Sequence, residues 1–188
     1  MRGKCFFISG VILCTCAASL SAGSAPSDVR VAPLLSTTWG QTTINGNACF
    51  NYYTPDVSGY PPTTAGSASN YPSGCVATAM AQVVNYHRWA VPQFPYGTTF
   101  TIYADGYSYS AYLMGSTLGG QYDWDLMPDI AASLSARQEV GRLLHDLGAA
   151  LSMQYYAWSS GGSGTDFDFI DGVFHGFTYS NAVTLEGN

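Results

Sequence analysis

Apolar side chains return at helical spacing in three stretches of the chain and alternate with polar ones in another. Val76, Ala79, Met80, Val83 and Val84 form the first stripe, predicting a helix from Cys75 that closes before Ala90-Val91-Pro92. Ser73 or Gly74 stands where its N-cap belongs. Val140, Leu143, Leu144 and Leu147 predict a second helix, with Ser135-Ala-Arg-Gln138 as its capping box and Gly148 as its stop. Phe167, Ile170, Val173 and Phe174 predict a third over residues 166–175, followed by Gly176. Strict alternation over Thr98–Tyr103 and Tyr107–Tyr112, around Asp105-Gly106, is the signature of a hairpin. Residues 149–156 read as a further strand, and the aromatic residues of the run from Tyr122 to Pro128 as packing.

Composition narrows the picture. At 188 residues the chain has room for one domain. Its opening reads as an export signal: a basic start at Arg2 and Lys4, an apolar run from Phe6 to Leu20, and small residues from Ser21 to Ala25. The expected division is a signal over residues 1–24 and one domain over 25–188, placing the protein outside the cell or on its surface. The apolar run is short and diluted by Ser9, Gly10 and Thr15, which argues against a stable membrane span; lipid attachment at Cys14 or Cys16 is the weaker alternative. All twelve acidic residues lie beyond Ser24, with only four of the six basic ones. A chain so acidic, without a basic cluster, is a poor match for nucleic acid.

Beyond the signal only Cys49 and Cys75 remain of five cysteines. At the first turn of a helix, a thiol meets unpaired backbone N–H groups and the positive end of the dipole, surroundings that favour the nucleophilic thiolate. Two structural readings compete with a nucleophile: a thiol packed among small apolar neighbours, and a Cys49–Cys75 disulfide in a secreted, non-catalytic binding module.

The stretch Gly74-Cys-Val-Ala-Thr-Ala-Met-Ala-Gln82, followed by Asn85-Tyr-His87, resembles the nucleophile helix of the streptopain family, papain-like secreted cysteine peptidases. Val31-Ala-Pro-Leu-Leu-Ser-Thr-Thr-Trp-Gly-Gln41 is similar to the start of the mature enzyme in that family, and the run from Tyr122 to Pro128 resembles a later segment of it. The resemblance implies an α+β papain-like fold, Cys75 as nucleophile, Gln41 as oxyanion donor, and protein or peptide substrates. It also implies that the loop from Ser159 to Thr165 borders the substrate cleft, with Ser163 and Gly164 as substrate-binding residues. That loop lacks the Gly-Lys-Ser/Thr ending of a phosphate cradle. Asp123, Asp125 and Asp129 lack the glycine and open spacing of a calcium loop, so neither metal nor cofactor is expected.

A cysteine peptidase also needs a base. His87 lies twelve residues along the predicted helix from Cys75, roughly 18 Å of rise, and cannot reach it. His145 falls opposite its helix's apolar stripe and reads as solvent-facing; His175, four residues after Asp171, reads as half of a surface pair. The family's Gly-Gly-His motif has no match here, and the likeness covers residues 31–179. The expectation is an incomplete papain-like domain: the nucleophile-helix half, without most of the β-rich half carrying the histidine, inactive alone and marginally stable.

Overall fold

The computed structural model describes residues 34–57, 64–88, 98–117, 122–166 and 168–177, apart from the side chains at 171, 172, 174 and 175. The expected signal, the helix end at Ala90-Val91-Pro92, Phe167 and the His175 side chain lie outside that description. The described residues begin with a short hairpin, β1 (Thr43–Ile44) and β2 (Asn47–Ala48), turned by Asn45 and Gly46 at positive φ. Helix α1 (Cys75–His87) follows, then the strands β3 (Thr99–Ala104) and β4 (Tyr107–Tyr112) and the single turn α2 (Met114–Thr117). A 3₁₀ turn (Trp124–Leu126) leads into the long helix α3 (Leu134–Ala150). Strand β5 (Gln154–Tyr155), a second 3₁₀ turn (Trp158–Ser160) and α4 (Asp168–Gly176) complete the order.

The predicted hairpin is present within a residue of its expected bounds. Asp105 and Gly106 both take positive φ, the backbone that a two-residue turn between twisted strands demands, and Ala104 pairs with Tyr107. β5 adds to β3 in parallel, giving a sheet ordered β4-β3-β5. One face of this hairpin turns Ile102, Ala104 and Ala111 into the core.

The core lies where α1 and α3 pack together and meet the sheet. Met80 and Val84 from α1 and Val140, Leu143, Leu144 and Leu147 from α3 are buried there, each worth about 1.5–3 kcal/mol by removal from water. The buried face of α1 is rotated from the predicted stripe: Ala79 is exposed, while Ala77, Ala81, Thr78 and Asn85 are inside. Thr78 and Asn85 tolerate burial because backbone carbonyls receive them. Thr78 Oγ1 lies 2.9 Å from the Gly74 carbonyl, and Asn85 Nδ2 donates to Met127.

Helix α3 departs from its predicted bounds at both ends. Ser133, not Ser135, is its cap, its Oγ accepting from the Ala136 N–H at 3.1 Å, and Gln138 instead donates to the Tyr52 hydroxyl. Gly148 does not stop the helix. It makes room for Tyr155, whose hydroxyl would collide with a Cβ at that position. The chain leaves the helix at Leu151 and Ser152, so the strand predicted over 149–156 shrinks to Gln154–Tyr155.

Candidate active site

Cys75 is the first residue of α1, and its exposed thiol is free. The cap before it is Gly74, with φ 90° and ψ 145° and no side-chain hydrogen bond. That backbone is almost closed to residues with a Cβ, and a Cβ on Gly74 would also lie 3.0 Å from the Met153 thioether and 3.2 Å from the Ser163 carbonyl. Ser73 is buried rather than capping, with its Oγ 3.1 Å from Thr78 Oγ1. The first N–H groups of α1 therefore open beside an exposed sulfur.

The segment carrying Gln41 is tied along the same helix. Gln82 Oε1 accepts from the Thr37 hydroxyl at 2.9 Å and from the Trp39 N–H at 3.3 Å. The Ser73 N–H donates to the Gln41 carbonyl at 2.9 Å, so Gln41 is held one hydrogen bond from the turn that presents Cys75. The Gln41 side chain is half-buried and has no hydrogen-bond partner among the described residues.

Ser163 reaches this turn through its backbone, its carbonyl lying against Gly74. Its side chain is buried and accepts from the Tyr156 N–H at 3.3 Å. Gly164 is paired with Gln154 through both its N–H (3.0 Å) and its carbonyl (2.8 Å). Pairing of a peptide by the Gly164 backbone is therefore pre-empted. In an antiparallel ladder the neighbouring residue faces the other way, which leaves Ser163 as the member of the pair turned from Gln154.

Cys49 and Cys75 are not bridged, which removes the disulfide-bonded alternative. Cys49 is buried, and burial pushes its thiol up to about 12 despite the Arg137 charge acting the other way. His145 is not the solvent-facing residue expected. It is largely covered, with Nδ1 3.0 Å from Asp146 Oδ1 and its ring edge-on to Tyr53. Asp146 itself is buried, accepting the Met114 and Gly115 N–H groups and the Tyr122 hydroxyl. No hydrogen bond joins His87 or His145 to Cys75.

The three aspartates considered for calcium serve separate contacts: Asp123 caps a 3₁₀ turn, Asp125 pairs with Arg88 and Asp129 accepts from Ser36. Among the described residues no group of three or more metal-ligating side chains gathers, and no helix is long and apolar enough to cross a membrane. Sequence reasoning places Ser73 as a cap candidate but misses Thr78 and the link between the two. The one signal for that link is a hydroxyl at position 78 on the apolar side of a helix, four residues beyond the capping glycine.

A model of the peptidase C10 family matches residues 39–187. The chain is similar in structure to the active wild-type interpain A cysteine protease of Prevotella intermedia, with 27% identity and a TM-score of 0.56. The match covers 77% of this chain and 53% of that one. A prointerpain A fragment from the same organism, carrying one cysteine-to-alanine mutation, gives 26% identity and a TM-score of 0.56 over 77% of this chain and 42% of the other. No curated protein sequence matches. The chain thus spans about half the length, or less, of the solved structures it resembles.

Proposed function

The chain belongs to the peptidase C10 family, the streptopain family of cysteine peptidases, and from that membership we propose that Cys75 is the nucleophile of a peptide-bond hydrolase. The observation carrying this reading is an exposed, unbridged sulfur at the mouth of α1, with the Gln41 segment fastened beside it. In the proposed reaction the Cys75 sulfur attacks the carbonyl carbon of a peptide bond. The oxyanion that forms is received by the Gln41 amide and the open N–H groups of the first turn, charge-free donors aimed at developing charge. Collapse of that intermediate breaks the C–N bond, the amine leaves with the proton that the base took from the Cys75 thiol, and water then cleaves the Cys75 thioester to release the acid and restore the thiol. Ser163 flanks the bound peptide. The apolar stretch over residues 6–20 supports export, so the substrates are extracellular proteins or peptides.

The base comes from outside the described residues. His87 is a helix length away and His145 is held by Asp146. Without an imidazole at the sulfur, a catalytic unit of this kind loses about 10⁴–10⁶ in turnover, so the proposed hydrolysis depends on a base that the side chains described do not supply. The test is mass-resolved labelling of the folded chain with iodoacetamide at pH 7.5. Cys75 is expected to react at least about 100-fold faster than Cys49, whose buried thiol is almost wholly protonated. Equal rates at the two sites would overturn the assignment.

A further inference from the structure

Asp105 and Gly106 form the tip of the β3–β4 hairpin, both at positive φ. That turn accounts for the backbone alone, since Asn-Gly and Gly-Gly serve it as well as Asp-Gly. The Asp105 carboxylate has a partner of its own. Its Oδ2 accepts the Tyr71 hydroxyl at 2.5 Å, thirty-four residues back along the chain. The phenol stays a donor there, because burial and then the bond to Asp105 push it up to about 12.

Tyr71 is the residue that leads into Pro72-Ser73-Gly74, the turn presenting Cys75. Its ring is buried, its N–H donates to the Pro55 carbonyl at 2.9 Å, and its carbonyl accepts from Thr54 Oγ1 at 2.5 Å. The same hairpin also grips the strand behind the turn. The Asp105 N–H donates to the Tyr155 carbonyl at 3.2 Å, and the Tyr103 N–H to the Met153 carbonyl at 2.9 Å. Met153 is the side chain that a Cβ on Gly74 would meet at 3.0 Å. The chain entering the turn and the strand backing it are thus tied to one exposed residue at the hairpin tip.

Resting on the assignment of Cys75 as nucleophile, we propose that Asp105 is a positioning residue for its sulfur, clamping the turn by its carboxylate on Tyr71 and by its N–H on Tyr155. Small displacements of a reacting atom are costly in rate, so a tie at this turn bears on reactivity and not on stability alone.

The test uses the full chain and reads the iodoacetamide rate at Cys75, with Cys49 in the same sample reporting on the fold. Asp105→Gly keeps the turn and removes the carboxylate; Tyr71→Phe keeps the buried ring and removes the donor. Each is expected to slow Cys75 by at least about threefold with Cys49 still protected. The double variant should be about as slow as the slower single one, because one bond cannot be lost twice. Asp105→Asn keeps both the turn and an acceptor oxygen, and should stay within about twofold of the unmutated chain. Ile102→Val trims the buried face of the same hairpin without touching the clamp, and should leave the Cys75 rate unchanged. If Asp105→Gly exposes Cys49, Tyr71→Phe decides alone by the same threshold. Slowing below that threshold, losses that multiply in the double variant, no rescue by asparagine, or an equal loss in Ile102→Val would overturn the clamp and leave the nucleophile in place. Iodoacetamide failing to favour Cys75 over Cys49 in the unmutated chain would instead sink the nucleophile assignment and the clamp with it.

Discussion

Two thiols in one chain show how little the residue type decides. Cys49 and Cys75 are both free, yet one is sealed in the core and the other opens to solvent at a helix start. Cys49 packs with Trp39 and Phe50 in the apolar cluster, where its ionised form has lost its hydration. Cys75 follows a glycine whose backbone no other residue readily adopts, and the bend at Gly74 sets the sulfur clear of the core. The difference lies in the turn, and a chemical role for one thiol needs that turn kept in shape. Perturbing it should therefore change one cysteine and spare the other.

The largest effect is expected at Gly74. Gly74→Ala imposes a strained φ and drives a methyl group against Met153 and the Ser163 carbonyl, for a cost of about 2–4 kcal/mol in unfolding free energy. Denaturant titration reads the loss. Retention of wild-type stability would mean that the turn is not held as described.

Next comes the buried thiol. The Cys49 thiol ionises near 9.0 in an unfolded chain and is pushed up to about 12 in the fold. The stability difference is absent below pH 9, where both states keep the proton. It grows as a loss when pH rises from 9 toward 12, because the unfolded chain gives up its proton first. By pH 10 the loss amounts to about 1.4 kcal/mol, the cost of one pKa unit. Tyr155 and Tyr122, both raised chiefly by burial from an ordinary value of 10.0, act with the same sign at higher pH. Cys49→Ala should flatten the fall between pH 9 and 10 while leaving the later one, as thermal melts across that range would show; an unchanged slope would contradict the sealed thiol.

Much of this contrast was legible in the sequence, and what was not has a common cause. The Asp105-Gly106 hairpin was readable because its turn demands a backbone that few residues take. The start of α1 was readable because Pro72, Ser73 and Gly74 break structure locally. Gly148 misled because the same residue can end a helix or admit a neighbour, and only Tyr155, seven residues on, decides which. His145 misled for the same reason: helical periodicity sees its own stripe and not Asp146 and Tyr53 gathered beside it. The Gln41 segment was recognised by likeness, but the contacts holding it span more than thirty residues, and no local pattern carries them.

The finest probe of the comparison is Thr78, a hydroxyl buried between the two segments of the site. Its Oγ1 lies 2.9 Å from the Gly74 carbonyl, 3.3 Å from the Gly40 carbonyl and 3.1 Å from Ser73 Oγ. Thr78→Val keeps the shape and removes those bonds, leaving buried polar groups unmatched at a cost of about 1–2 kcal/mol. If the hydroxyl only filled space, the cost would be smaller and Cys75 would alkylate at its wild-type rate. If it fastens Gly40 and Gly74 together, Cys75 labelling should change by several-fold while Cys49 stays protected, and Thr78→Ser should restore the rate. The valine variant isolates the link between the two segments because the helix keeps its buried volume, so a change confined to Cys75 traces to the missing proton donor.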